Sequence, residues 1–335
     1  MSRREVVTSA AHRLGLLPLL ERVPAKPMLA VVVYHRIMKF EDSRHDPNVI
    51  EATPDEFDDH MTMLKKRHAV IDPDELAFMI DNPKRIKRLH VAITFDDGYR
   101  DNYDNAFPIL KSHGLRATFF LPTHFIGTSY LTWWDQIGWM IRRTEKNTFD
   151  LRGKTFRLDE RDVKLVIRDV LRLLKSSNDD LGSFLVEVAA ATGVEPPTSA
   201  DDRQFMSWEE AEEMEKAGMG IASHTHTHKI LAALAPEEQV SECQKARDIL
   251  KDKGYRLADS LAYPVGDRDA FTATTVNAAR DVGYRFGFSN FGGLNEPDSL
   301  DRYNVRRVGV DQSADSALQL RFRLAWARRT AKEPW

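Results

Sequence analysis

The sequence is poor in cysteine and in long apolar runs. It holds a single cysteine, Cys243, among 335 residues, which excludes an internal disulfide and a cysteine-ligated zinc site. No run reaches the roughly 18 uninterrupted apolar residues that predict a transmembrane helix. Charged residues interrupt the apolar stretches near the N-terminus, so no convincing secretory signal is present. These absences predict a cytoplasmic protein, with membrane association as an alternative.

A strong net charge is also missing. The chain has 48 Lys and Arg against 51 Asp and Glu, a formal net charge of −3, so no global basic field indicates a nucleic-acid partner. Basic clusters occur at residues 84–88 and in the C-terminal region, at Arg321, Arg323, Arg328 and Arg329. Each cluster is interpreted as a solvated face, or alternatively as a contact for an anionic membrane surface or glycan.

Apolar runs and helical patterns alternate along the chain. Residues 29–34, 89–95 and 117–121 are short apolar runs typical of buried parallel strands, and helical patterns lie between them. Thr53 and Ser207 predict helix starts, and Gly114 and Gly283 predict helix ends. This alternation is interrupted over residues 131–205 and then resumes, and residues 284–288 and 305–310 are predicted as the last two strands. The alternation predicts an α/β fold built on a parallel sheet or barrel.

Two adjacent carboxylates, Asp96 and Asp97, follow the apolar run at residues 89–95. Reactive residues gather at the carboxyl ends of strands in parallel α/β folds. Neighbouring side chains at a strand end point in different directions, so one carboxylate can bind a metal while the other faces a water. A simple Asp-Gly turn is the alternative interpretation.

Three histidines, His224, His226 and His228, lie within five residues after another predicted strand. The spacing of His224 and His228 places both imidazoles on one side of a helical turn, as a shared metal requires. A surface histidine cluster is the alternative. One carboxylate and two histidines would leave positions open for water and substrate, and the second carboxylate would serve as a base. Zinc is favoured, and cobalt, manganese and iron(II) also fit.

The segment 94–98 (Thr-Phe-Asp-Asp-Gly) followed by 224–228 (His-Thr-His-Thr-His) resembles the polysaccharide deacetylase family, also called the NodB-homology domain or carbohydrate esterase family four. The resemblance implies a distorted (β/α)7 barrel that hydrolyses N-acetyl groups on amino sugars. Carried over by position, it implies that Asp96 is the catalytic base. It also implies that Asp97, His224 and His228 bind one divalent metal ion.

A third motif of the family matches residues 262–266, Ala-Tyr-Pro-Val-Gly, with Ala262 where many members have arginine. This is similar to an exopolysaccharide-deacetylase-like branch. The resemblance implies that the Val265 backbone N–H donates to the oxyanion. Arg307 is a candidate to replace the missing arginine and orient the base, or it is an ordinary surface arginine.

The general acid lacks a match, because no histidine follows His228 although many members place one near the C-terminus. His35, after the first predicted strand, is a candidate acid, and a structural histidine is the equal alternative. His226 and a metal-bound water are further candidates. Trp133 and Trp134 are candidates for a wall that stacks on sugar rings, with core packing as the alternative.

The sequence predicts three parts. They are an N-terminal helical extension (1–27), a polysaccharide deacetylase domain (28–320) with a helical insertion at about 131–205, and a basic C-terminal tail (321–335). The expected substrate is an N-acetylated polysaccharide, glycolipid or lipid-linked glycan, and the oligomeric state is left open. The alternatives are hydrolysis of a cyclic, non-sugar amide on the same fold and an inactive carbohydrate-binding module.

Overall fold

The secondary structure comes from a computed structural model that describes residue 17 and residues 26–43, 46–175, 181–197, 199, 203–310 and 315–330. The strands are β1 (Met28–Tyr34), β2 (Arg36–Ile37), β3 (Ile50–Ala52), β4 (Ala69–Val70), β5 (Leu89–Phe95), β6 (Thr118–Leu121), β7 (Thr148–Leu151), β8 (Lys154–Arg157), β9 (Gly220–Ser223), β10 (Ser260–Ala262), β11 (Phe286–Ser289), β12 (Val305–Arg306) and β13 (Val308–Gly309). The α-helices are α1 (Pro54–Arg67), α2 (Pro73–Asp81), α3 (Phe107–His113), α4 (Trp133–Arg143), α5 (Val163–Lys175), α6 (Leu181–Thr192), α7 (Trp208–Lys216), α8 (Pro236–Asp252), α9 (Ala273–Val282) and α10 (Ser316–Thr330).

A parallel sheet organises the larger part of the chain. In the part that the structure describes, nine strands form this sheet in the order β12-β11-β10-β9-β6-β5-β1-β13, with β4 paired to β5. Every residue of β1 is buried, which explains why its sequence is continuously apolar. β12 and β13 lie at opposite ends of this order, yet Arg307 alone separates them along the chain. The segment 305–309 therefore nearly closes the sheet into a barrel, and the α/β barrel prediction is confirmed.

Local sequence signals set the ends of several helices. Thr53 and Ser207 form capping boxes at the starts of α1 and α7, because each hydroxyl accepts a backbone N–H that lacks a helical partner. Gly114 and Gly283 end α3 and α9 in the left-handed conformation, which glycine adopts without steric cost. These predicted boundaries are confirmed.

The chain divides into two compact units. The first comprises Met1–Ile37, Glu51–Gly127 and Phe205–Trp335, and it contains the barrel. The second comprises Met38–Ile50 and Thr128–Gln204, with α4, α5, α6 and the antiparallel pair β7–β8. The segment at about 131–205, predicted as a helical insertion, contains these three helices and also this hairpin, which was not predicted. The boundaries of an inserted domain remain a prediction.

The C-terminal region is a helix where a basic tail was predicted. Helix α10 extends to Thr330, and the side chains of Arg321 and Arg323 are buried. Leu17 packs against α10 in an apolar cluster with Leu318 and Phe322. Arg321 and Arg323 therefore do not belong to the predicted solvated face, and the boundary of a tail at residue 321 remains a prediction. Of the predicted N-terminal helical extension (1–27), the structure describes only Leu17 and residues 26–27. None of the described helices combines the length and apolar character that a membrane span requires.

Candidate metal and catalytic site

The predicted site residues of the barrel come from segments that follow the carboxyl ends of different strands. Asp96 and Asp97 follow β5, while His224 and His228 follow β9. The parallel pairing β5-β6-β9 brings the two segments to the same end of the barrel. This arrangement explains how residues more than a hundred positions apart in sequence become neighbours.

Asp97, His224 and His228 converge on one point. Each offers a ligand atom, and these atoms all lie within 4.8 Å of one another. Asp97 Oδ1 is 3.4 Å from His224 Nε2 and 3.1 Å from His228 Nε2. All three side chains are buried. One carboxylate oxygen and two imidazole nitrogens at this spacing could share a divalent cation.

The environment of the three side chains fits a cation. The Ala262 carbonyl lies 2.8 Å from His224 Nδ1, and a carbonyl only accepts, so Nδ1 carries the proton and Nε2 presents its lone pair. Asp97 Oδ1 is buried without a well-aligned hydrogen bond. Burial acts to raise the pKa of Asp97, but His228 and His224 outweigh it and hold the pKa well below its ordinary value. The carboxylate is therefore ionised, as a metal ligand must be.

The backbone around this point adopts left-handed conformations that non-glycine residues rarely take. Asp97 has φ 71°, Thr225 φ 64° and His228 φ 56°. Glu242 steadies the histidine loop, since its carboxylate accepts hydrogen bonds from the Thr227 backbone N–H and hydroxyl, both at 2.7 Å. Such strained conformations persist only where surrounding contacts fix them, and they cluster at functional sites.

Asp96 forms a bidentate pair with Arg307. Arg307 Nη1 and Nη2 donate to Asp96 Oδ1 and Oδ2 at 2.6 and 2.7 Å, and both residues are only 1% exposed. Burial acts to raise the pKa of Asp96, but the guanidinium outweighs it, and the pKa lies below its ordinary value. Arg307 also donates to the Ser289 carbonyl at 3.3 Å. Arg307 is thus buried against Asp96, and the surface-arginine alternative is wrong.

His35 is held by Glu51. Its Nδ1 lies 2.9 Å from Glu51 Oε1, and its backbone N–H donates to Glu51 Oε2 at 2.8 Å. Asn102 donates to the His35 carbonyl at 2.7 Å. Burial acts to lower the pKa of His35, but Glu51, Asp97 and Asp96 raise it to about 9. The imidazole is therefore protonated at neutral pH and carries a proton that it can donate.

Val265 has φ 63°, an unusual conformation for a β-branched residue. The Val265 carbonyl accepts a hydrogen bond from the Asn290 side chain at 3.0 Å, and the Asn290 backbone N–H donates to Gly266 at 2.7 Å. In the part of the chain that the structure describes, no group accepts a hydrogen bond from the Val265 N–H. This donor remains a candidate for an oxyanion.

The two tryptophans of the predicted sugar-stacking wall differ in exposure. Trp134 is 5% exposed, so its ring packs inside the protein and does not present a face to a ligand. Trp133 is half-buried and meets Trp134 edge-on, with ring centroids 5.2 Å apart. The core-packing alternative applies to Trp134, and a substrate contact remains a prediction for Trp133. His226 lies 2.9 Å from the Thr123 hydroxyl through Nδ1.

Several residues that support the site carry no pattern in the sequence. Glu51 and Asn102 hold His35, and Asp101 holds the next residues, accepting from Arg36 Nε and the Ile37 N–H at 2.8 Å each. Their partners lie 15 to 67 positions away, beyond the reach of local periodicity. Of these residues, only Asp101 could have been suspected from the sequence, because it lies four positions after Asp97.

Comparisons with known proteins identify the family and the fold. Residues 84–287 match the family described as polysaccharide deacetylase. YxkH of Bacillus subtilis (strain 168), named as a polysaccharide deacetylase, is 26% identical over 292 residues, covering 86% of this chain and 72% of that protein. IcaB from Ammonifex degensii superposes with a TM-score of 0.58 at 20% identity, covering 91% of this chain and 98% of IcaB. The Streptococcus pyogenes deacetylase PplD, in complex with acetate, superposes with a TM-score of 0.56 at 19% identity, covering 88% and 96% of the two chains.

Proposed function

We propose that this chain, which belongs to the polysaccharide deacetylase family, is a metal-dependent enzyme that removes N-acetyl groups from a polysaccharide, glycolipid or lipid-linked glycan. Hydrolysis of the amide bond of N-acetyl sugars is the activity of the family. The observation that carries the metal-dependent form is the convergence of Asp97, His224 and His228 within 4.8 Å. The particular sugar is left to experiment.

In this proposal Asp97, His224 and His228 hold one divalent ion, with zinc favoured. Such an ion, when bound, lowers the pKa of water and polarises a carbonyl. The Ala262 carbonyl supports the site by fixing the protonated nitrogen of His224. Burial of all three side chains favours binding, because the ion then compensates a carboxylate that is removed from water.

Asp96 acts as the general base in the same proposal. Its pairing with Arg307 keeps the carboxylate ionised and fixes its orientation. A carboxylate with a low pKa is a weak base toward ordinary water, so it depends on a water that the site has made acidic. Removal of a proton from this water by Asp96 generates the nucleophile that attacks the acetyl carbon. The Val265 N–H would stabilise the resulting oxyanion.

His35 acts as the general acid. A pKa of about 9 means that the imidazole enters the reaction protonated, as expulsion of an amine requires. Donation of this proton to the sugar nitrogen accompanies cleavage of the C–N bond, and acetate and the free amine leave. Glu51 positions the ring and compensates its charge.

Variants of the candidate ligands and base test this proposal. We expect Asp97→Ala and His224→Ala to lose bound metal and acetate release together, whereas Asp96→Asn should keep the metal and lose activity by about 10²- to 10⁴-fold. The measurements are elemental analysis of the purified protein and acetate release from N-acetylglucosamine oligomers. Asp104→Ala, at an exposed surface position, is the control.

The outcomes distinguish the alternatives. Release of acetate from the oligomers but not ring opening of cyclic amides would support the sugar substrate. Metal binding without any turnover would favour an inactive binding module. Near-full activity of Asp96→Asn would remove Asp96 as the base, and full metal content in Asp97→Ala would overturn the ligand set.

A further inference from the structure

The end of the barrel opposite the candidate site is closed by helix α2. The buried face of α2 includes Pro73, Leu76 and Ile80, and these side chains line a small cavity together with Thr118 and Ser260, the first residues of β6 and β10. The inner face of α2 therefore packs across the amino ends of the strands. Its outer face is the surface of the molecule at this end.

An aromatic side chain is exposed on that outer face. Phe78 is 52% exposed, and its carbonyl accepts hydrogen bonds from the Asn82 backbone N–H and side chain, both at 2.9 Å. Phe78 is thus one turn from the end of α2. Phe78 precedes a run of cations by six positions in sequence, and a surface that combines an exposed aromatic with cations is typical of proteins that bind a membrane interface.

Four exposed cations follow α2 directly: Lys84, Arg85, Lys87 and Arg88. The residue between them, Ile86, is 2% exposed and packs in the same apolar cluster as Leu76. This anchor fixes the segment against the barrel end. Among the described residues, no acidic group forms an ion pair with any of the four cations.

Four acidic residues at this end have other partners. Asp81 pairs with Arg285 and Arg302, and Asp74 pairs with Arg256 at 3.0 Å. The Glu75 carboxylate accepts the Asp72 N–H in the capping box of α2, and Lys26 pairs with Glu296 at 3.2 Å. The cations at 84–88 are consequently left as a local positive surface on a chain whose net charge is −3.

We propose that this surface, formed by Phe78 and the cations at residues 84–88, docks the protein on an anionic lipid bilayer. Clustered Lys and Arg attract anionic headgroups, at about five-fold in affinity per cation near the surface. The exposed ring favours a bilayer over a soluble polyanion, because only a bilayer offers an apolar layer beneath its charges. The seven residues of β5 rise roughly 20 Å, so docking would hold the candidate site away from the headgroups.

Vesicle sedimentation tests the proposal with the full chain. The wild type should co-sediment with vesicles of phosphatidylcholine containing about one-third phosphatidylglycerol, and not with phosphatidylcholine alone. Binding should fall at about 0.5 M NaCl. The combined variant Lys84→Gln, Arg85→Gln, Lys87→Gln, Arg88→Gln should bind at least about 100-fold more weakly. Phe78→Ser should lower binding at least several-fold with all four cations intact.

A matched control removes four exposed lysines elsewhere, in the variant Lys111→Gln, Lys245→Gln, Lys251→Gln, Lys253→Gln. It should bind the anionic vesicles like the wild type, and all variants should keep the wild-type circular dichroism spectrum. Wild-type binding in the four-cation variant would overturn the proposal, as would no binding by the wild type. Retention on heparin that depends on the four cations, with Phe78→Ser unchanged on vesicles, would assign the surface to a soluble polyanion and also overturn it. Because the readout is binding, these outcomes are independent of deacetylase activity.

Discussion

At the scale of single residues, Glu51 raises the pKa of His35, the proposed general acid, and so sets the pH range of the activity. His35 must be protonated to donate, so activity should fall as the pH rises through its pKa of about 9. Glu51→Gln removes the negative charge that offsets burial. We expect the alkaline limb of the kcat/KM profile to move toward or below the ordinary pKa of 6.5.

The variant Asp101→Asn is a control for Glu51→Gln, because it shows whether the effect comes from the charge beside His35 or from support of the neighbouring backbone. Asp101 holds the adjacent Arg36 and Ile37 but does not contact the His35 ring. We expect Asp101→Asn to lower kcat without moving the alkaline limb of the kcat/KM profile. In Glu51→Asp, which keeps the negative charge, the limb should lie between its positions in the wild type and in Glu51→Gln. An alkaline limb that stays in place in Glu51→Gln would show that Glu51 does not set the proton affinity of the acid.

The sequence predicted those candidate site residues that lie in short motifs. Asp96 and Asp97 are adjacent, and His224 and His228 are four positions apart, so spacing alone suggested shared chemistry. The helical turn expected between the two histidines is absent, since Thr225 and His228 have positive φ. Glu51 was missed because one glutamate 16 positions from His35 has no recognisable pattern. Its contact depends on how the chain returns beside β1, which only the folded structure specifies.

At the scale of secondary-structure elements, Gly287 lets β11 lie close to the side chain of Tyr263 and the carbonyl of Tyr303. A Cβ at Gly287 would overlap the Tyr263 hydroxyl and lie 2.9 Å from the Tyr303 carbonyl. Tyr263 cannot move freely, because its ring stacks on Phe271 at 4.1 Å. We expect Gly287→Ala to lower the free energy of unfolding by about 1–3 kcal/mol, measured as the midpoint of urea unfolding.

Gly309 in β13 provides a matched glycine, since a Cβ there would meet no atom within 4 Å. Gly309→Ala should therefore leave the unfolding midpoint close to the wild type. The displaced Tyr263 is the neighbour of Ala262, whose carbonyl holds His224, so Gly287→Ala should also weaken metal binding. Equal stability of the two variants would contradict the close approach.

The helix boundaries that depend on neighbouring residues in the sequence were predictable. The caps at Thr53 and Ser207 and the glycine ends at Gly114 and Gly283 need only neighbouring residues. The hairpin β7–β8 was missed because its turn uses Arg152 at φ 50° with Gly153 at φ 74°, and arginine at such a position gives no turn signal. The strand alternation in its two arms was the overlooked clue.

At the scale of the whole molecule, His60 joins three distant parts of the chain. It lies in α1, with Nδ1 3.0 Å from the Tyr34 hydroxyl of β1 and Nε2 2.7 Å from the Ser316 hydroxyl of α10. Burial lowers the pKa of His60 to about 4 from 6.5. As the pH falls from 6.5 to 4, the unfolded chain binds a proton here that the folded chain excludes, so stability decreases by up to about 3 kcal/mol.

Urea unfolding across this pH range tests the effect. His60→Gln retains hydrogen-bonding groups but cannot titrate, so the stability difference between wild type and variant should shrink as the pH falls from 6.5 to 4. Ser316→Ala removes one hydrogen bond, at a cost of about 1 kcal/mol, and should keep the wild-type pH dependence. A stability difference that stays constant over the range would contradict a neutral, buried His60.

The barrel was predictable from the alternation of strands and helices and from the resemblance to the polysaccharide deacetylase family. The way in which its two edge strands are joined was not predictable. The sequence of residues 305–310 predicted one strand. The structure divides it into β12 and β13 around Arg307, because each half pairs with a different edge of the sheet. Pairing of this kind depends on the complete set of strands and has no local signature.

Because Arg307 lies far behind Asp96 in the sequence, the ion pair between them can form only late in synthesis. Asp96 leaves the ribosome 211 residues before the arginine that neutralises it. Until Arg307 emerges, the nascent chain has a carboxylate without its counter-ion and a sheet whose two edges are still open. Segment 305–309, which is translated after the other strands of the sheet, thus closes the barrel and completes the ion pair in a single event, so chains that end before it lack both.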